Sequence, residues 1–151
     1  MGLDYSLQLS TDMDRAQPLG LLAENIQGLQ SSEEDAFLCG TDIIVAAGEL
    51  DEQSRCIMEE GFGFRPNLIV LFRFPSNHDS DKFAQTMLQG ALLLLDHGRD
   101  GVLLFNGEII VLQRLDGKLV FNADHHIWDD DYLKGRLTVP FEFRSLPSPF
   151  L

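Results

Sequence analysis

The sequence predicts an α+β fold: two helices packed on a largely antiparallel β-sheet, in the order β-α-β-β-β-α-β-β-β and ending in a hairpin meander. Three observations predict it. Leu3, Tyr5, Leu7 and Leu9 alternate with Asp4, Ser6, Gln8 and Ser10, the period-two pattern of a strand with one face on a core and one in water. Two later stretches carry apolar residues at helical spacing. Asn106-Gly107 and Asp116-Gly117 separate three short apolar runs, and both dipeptides suit two-residue hairpin turns whose central positions need positive φ.

After the opening strand, Asp14 stands three residues before Gln17, a capping-box spacing, and Leu19, Leu22, Ala23 and Ile26 follow at helical intervals. A helix from about Arg15 to Gln27 is expected, with Pro18 tolerated in the first turn and Gly28 as its stop. Gln30 to Asp35 is polar and reads as a loop. Ala36–Cys39 and Ile43–Ala46 read as short strands broken by Gly40, Asp42 and Gly48, and Arg55–Met58 as a further short strand before the turn Gly61–Pro66. Asn67 to Phe74 reads as a central strand ended by Pro75-Ser76-Asn77. Ser80 or Asp79 caps a second helix with a stripe of Ala84, Leu88, Ala91 and Leu95, widened by Leu92, Leu93 and Leu94, that ends near Gly98. The meander is Val102–Phe105, Glu108–Leu115 and Lys118–Phe121. From Asp124 the chain is irregular, with a helical turn at Asp131–Lys134 and a strand near Leu137–Phe143 that Pro140, Pro147 and Pro149 confine to an edge or a tail. The helices are expected on one face of the sheet.

Length and composition fit one domain spanning residues 1–151. A chain of this size can bury about two-thirds of its unfolded surface, and 44% hydrophobic residues with eleven Phe supply a core. The formal charge is −13, which repels phosphate backbones and anionic lipid and attracts basic proteins, so nucleic acid and membrane are excluded as partners. The longest apolar run, Ala91–Leu95, is far short of the roughly 20 residues of a membrane helix. Met1-Gly2 with Ser6 fits a myristoylation spacing, although an alternating strand accounts for the same residues. The acid at position 4 argues against a secretory signal, and two cysteines, Cys39 and Cys56, without a C-x-x-C pair suit a reducing cytoplasm.

Asp124-His125-His126, followed by Asp129-Asp130-Asp131, is the one cluster with metal-ligand chemistry and is similar to a phosphoesterase signature. Such enzymes gather further acids and histidines from other segments. Here His78 and His97 lie in an apparent loop and at a helix end, and the three aspartates lack calcium-loop spacing. An exposed polar loop is the better reading, so no metal or other cofactor is expected. There is no G-x-S-x-G elbow, no Walker motif, and Gly61-Phe62-Gly63 lacks the setting of a dinucleotide turn. Catalysis is therefore not expected. Trp128, the only tryptophan, lies among acids; it is either the anchor of a binding hot spot or a cover for the end of the sheet.

The order of these pieces resembles one family, the immunity proteins of the Sit type, which protect bacteria against toxins passed between neighbouring cells on contact. The likeness is carried by Leu3-Asp4-Tyr5-Ser6-Leu7 with Thr11 and the helix after it, by Gly63-Phe64-x-Pro66 running into Val70-Leu71-Phe72-Arg73, and by Asp100–Phe105, Glu108-Ile109, Asp116-Gly117 to Asn122 and Trp128. It implies a cytoplasmic protein that binds its cognate toxin and occludes it without catalysis. An acidic inhibitor suits a toxin with a basic cleft. The contact expected from the residues themselves is Asp124, Trp128, Asp129, Asp130 and Asp131. The competing readings are a small metal-dependent hydrolase using the Asp124–Asp131 segment and an interaction adaptor whose acidity only keeps it soluble.

Overall fold

The structure, a computed structural model, describes residues 3–32, 36–75 and 79–150. Strand β1 (Leu3–Thr11), helix α1 (Gln17–Asn25) and strands β2 (Gln30–Ser31), β3 (Phe37–Cys39) and β4 (Ile44–Glu49) come first. Helix α2 (Glu52–Phe62), strand β5 (Leu68–Phe74) and helix α3 (Ser80–Asp96) follow. Strands β6 (Gly98–Phe105), β7 (Ile109–Leu115) and β8 (Lys118–Asn122) form the meander, and α4 (Asp130–Arg136) and β9 (Glu142–Arg144) close the order. All the strands lie in one sheet, ordered β2-β3-β4-β5-β1-β6-β7-β8-β9. Neighbours are antiparallel except β8 and β9, which run parallel.

The α+β class, the dominant antiparallel pairing and the final meander agree with the sequence reading, while the element order differs. There are four helices among the described residues rather than two. The segment Arg55–Met58, expected as a strand, lies inside α2: the Asp51 carboxylate accepts the Ser54 N–H at 2.8 Å, and Gly63 stops the helix at φ +81°. The run Cys56-Ile57-Met58 imitates a strand because only Met58 of this helix is fully buried, leaving no wide apolar stripe to read. Helix α1 is shorter than expected, but its start is the foreseen capping box: Asp14 accepts from Gln17 N–H while the Gln17 side chain accepts from Asp14 N–H at 2.7 Å. Gln30–Ser31 pairs with β3 instead of looping. The rest of that expected loop, residues 33–35, and the Ser76-Asn77 end of β5 lie outside the described residues.

Side chains alternate across the sheet, so consecutive residues of β6 enter different cores. Leu103 joins Leu7, Leu9, Val70, Phe72 and Leu112 beneath Leu22 of α1, Met87, Ala91 and Leu94 of α3 and Leu133 of α4. Val102 and Leu104 join Ile110 and Val120 on the opposite face, covered by Met58 of α2, Phe64 and Leu146. The helices thus lie on both faces, not on one. Each fully buried Leu, Val or Phe contributes about 1.5–3 kcal/mol, so the first, larger core dominates stability. Helix α3 approaches β6 closely because residue 101 is glycine: a Cβ there would sit 2.4 Å from Leu95 Cδ2.

Both dipeptides carry the positive φ expected of them, +52° and +75° at Asn106 and Gly107 and +54° and +77° at Asp116 and Gly117. Only Asp116-Gly117 closes a two-residue hairpin, with Leu115 opposite Lys118, whereas Phe105 pairs with Ile109 and Glu108 joins the first loop. A β-branched residue at either glycine is strained whatever the free space. Gly107→Val and Gly117→Val are each expected to lower stability by about 1–3 kcal/mol. Thermal melting checks this, and an unchanged midpoint in either variant contradicts the turn assignment.

Candidate partner-binding surfaces

The acidic segment after β8 is a connected structure and not a free loop. Asn122, 3% exposed, anchors it. Its side-chain N–H groups donate to Ile110 O at 2.6 Å and Leu146 O at 3.2 Å, while its Oδ1 accepts from Asp124 N at 2.9 Å and Leu146 N at 3.0 Å. Asp124 accepts a hydrogen bond from the Ser145 hydroxyl. His125 packs on Tyr5 and Phe105, with ring centroids 6.1 and 5.4 Å away. Trp128 is 4% exposed: its ring lies edge-on to Phe121 and its Nε1–H donates to Ala84 O at 3.1 Å. Of the two readings of Trp128, the burial fits the indole as a cover on the sheet and not as an exposed aromatic anchor. The indole N–H finds its partner on α3, which sequence spacing does not reveal.

Asp129 caps α4 by accepting from Tyr132 N–H at 2.7 Å, and Asp130 pairs with Lys134 at 2.8 Å. The Asp130 carboxylate, hydrogen-bonded to Lys134, raises the pKa of that amine. Asp131 is exposed at the start of α4. The structure therefore gathers Asp124, Trp128, Asp129, Asp130 and Asp131 into one region but turns most of them to local duties. Asp124, His125 and His126 do not converge, and no group of three or more potential metal ligands occurs among the described residues.

Burial pushes the His125 pKa below the ordinary histidine value, and the neighbouring His126 charge acts in the same direction. The unfolded chain then takes up the proton at higher pH than the folded one, so the stabilisation is complete above the unfolded pKa and is lost as pH falls through the folded value. The melting temperature is expected to fall between pH 7.5 and pH 5, and His125→Phe to show a smaller fall. Equal pH dependence in the two proteins contradicts this.

Beside α4, a groove against α3 contains hollows of 470, 300 and 410 Å³, all lined by Arg136. The Arg136 guanidinium lies over the Tyr132 ring, 4.4 Å from its centroid. Among the described residues lining them, no nucleophile is hydrogen-bonded to a base. The largest hollow is walled by Leu92, Leu95, Leu119 and Leu137 with Arg114. Arg114 is itself committed to the carbonyls of Leu95, Gly98 and Arg99 at the end of α3.

A second surface was not singled out by sequence reasoning. On the sheet face that α2 and the C-terminal segment cover over β6, β7 and β8, the strands β3, β4 and β5 are only partly covered among the described residues. Register aligns Phe37, Ala46, Leu71 and Ser6 in one row, Cys39, Ile44, Arg73 and Asp4 in the next, and Gly48, Ile69 and Gln8 in a third. Phe37 is 37% and Leu71 39% exposed. The charges in these rows, Arg73 and Asp4, pair at 2.8 Å.

The family model described as SitI3-like matches residues 3–132. The chain belongs to the SitI3-like family. The match runs from β1 into the first turn of α4, so both the acidic segment and the partly covered sheet face of this SitI3-like protein lie inside it. No curated protein and no solved structure matches the chain. No helix among the described residues is long and apolar enough to cross a membrane.

Proposed function

We propose that this SitI3-like protein is an immunity protein, a single cytoplasmic domain that binds a cognate bacterial toxin and neutralises it by covering it, without catalysis. The observation that carries the reading is the family match over residues 3–132. The charge of −13 supports it, because an acidic inhibitor is drawn to a basic toxin and kept away from nucleic acid and anionic membrane. The acids of the Asp124–Asp131 segment act in this reading through charge, with Trp128 holding the segment in place from below.

The test is co-expression with a toxin encoded beside this chain, sought first in its gene neighbourhood, and a count of surviving cells. Survival restored by this chain supports the proposal; killing undiminished at equal expression contradicts it. A second measurement addresses the charge. Replacing Asp129, Asp130 and Asp131 together by Asn is expected to slow association with a basic toxin and to flatten its salt dependence, because long-range attraction acts mainly on encounter. Asn still caps a helix, so α4 is retained in that variant. An unaltered association rate at low salt removes these acids from the mechanism.

A further inference from the structure

We infer that the exposed part of the face of β3, β4 and β5 is where a basic toxin seats, on an apolar patch with the acids of α2 on the same side; the inference rests on the immunity reading. An antiparallel sheet with one face in water alternates apolar and polar side chains, whereas a strand covered on both faces reads as a continuous apolar run. Strand β5 reads Leu68-Ile69-Val70-Leu71-Phe72. Leu68, Val70 and Phe72 enter the main core, so Ile69 and Leu71 point to the other face, where Leu71 stays 39% exposed. Strand β4 repeats this: Val45 is in the core and Ile44 and Ala46 face outward, and Phe37 of β3 continues their row. The sequence is that of strands covered on both sides, and on the second face the described chain leaves Phe37 and Leu71 exposed and Ile44, Ala46 and Ile69 only half-buried.

The small side chains in the rows, Ala46 and Gly48, keep the surface low between Phe37, Leu71 and Ile69, with Ser6 buried at the edge of the row. A flat apolar patch with a polar border is the form of an interface core. Charge selects the occupant. The Arg73–Asp4 pair leaves the rows themselves neutral, while α2, lying on the same sheet face, exposes Glu52, Glu59 and Glu60 after the Asp51 cap. Arg65 answers Glu52 and Glu59, Arg55 stands near Asp51, whose carboxylate caps the helix, and Glu60 remains as an exposed acid on that side. Two copies of a chain carrying −13 repel one another, so a second copy is a poor occupant and a basic protein a good one.

The experiment measures association and dissociation of the purified toxin encoded beside this chain with the wild type, Leu71→Asp, Leu71→Gln, Phe37→Gln and the triple Asn variant of Asp129–Asp131. Leu71 and Phe37 are exposed, so the Gln variants are expected to melt with the wild type; they carry the test if the charged variant does not fold. The expected result is dissociation faster by about tenfold or more in the sheet variants, with association little changed, and matching loss of protection in cells. Sheet variants that fold and keep wild-type rates overturn the inference. So does loss of affinity confined to the triple Asn variant, which moves the contact to α4, or a wild-type dimer in sedimentation that Leu71→Gln splits, which gives the face to a second copy. A wild type that neither binds nor protects overturns the immunity reading and this inference with it, an outcome distinct from failure of the sheet variants alone.

Discussion

Trp128→Ala is expected to be among the most damaging single substitutions in the chain, destabilising it by about 3–5 kcal/mol, the usual range for emptying a buried aromatic site. The ring is 4% exposed, stands edge-on to Phe121 and spans from the sheet to α3 through its bond to Ala84 O. Its neighbours are themselves fixed: Phe121 also meets Phe141 edge-on at 5.6 Å, which limits collapse into the gap. Trp128→Phe separates the two contributions. It keeps most of the packing and loses the indole N–H, so a cost of about 1–2 kcal/mol is expected. Urea unfolding with an unchanged slope reads both values. An Ala variant within about 1 kcal/mol of wild type would return the indole to the surface. The functional consequence is sharp: loss of protection in Trp128→Ala reports unfolding and not a missing toxin contact, so only variants that still melt normally speak about binding.

The parts of the fold that were legible in the sequence are those specified by local chemistry. Strand β1 alternates, the turns at Asn106-Gly107 and Asp116-Gly117 need positive φ, and α3 begins at Asp79, which accepts from Asp81 and Lys82 N–H. Helix α2 was not legible because it touches the sheet chiefly through Met58, and a narrow contact leaves no periodic stripe. Its caps, Asp51 with Ser54 and Gly63, were the signal to use. Trp128 stayed open between anchor and cover for a related reason. Acids follow it directly, which suggests water, but its contacts are Phe121 on β8 and the Ala84 carbonyl on α3, 44 residues earlier. The partly covered sheet face was half legible: β5 reads as a strand covered on both sides, yet which half of a face the helices cover is settled by topology, which local patterns do not encode.

Asn122→Ala is expected to rival Trp128→Ala, through hydrogen bonds instead of volume. The substitution leaves Ile110 O, Leu146 O and Leu146 N without their side-chain partner in a buried site, and each orphaned group costs about 1–3 kcal/mol. Because the groups share one partner the losses do not add, and a total of about 3 kcal/mol or more is the expectation. Leu146 belongs to the core under α2, so loosening it also uncovers Val102, Leu104 and Val120. Asn122→Asp gives a diagnostic contrast. It keeps the oxygen that Asp124 N and Leu146 N need but turns a second carboxylate oxygen toward two carbonyls. Ionised, that group is repelled and desolvated, so its pKa in the folded state is raised above the unfolded value. The folded state then holds the proton more tightly, and the penalty shrinks as pH falls toward the unfolded pKa, when the protonated oxygen can donate to one carbonyl. Urea midpoints for wild type, Asn122→Ala and Asn122→Asp at pH 8 and pH 5 should show the Asp variant recovering part of its loss at the lower pH while the Ala variant keeps its deficit relative to wild type. Parallel behaviour of the two variants would mean that this side chain does not donate to Ile110 O and Leu146 O and that the C-terminal segment is held by packing alone.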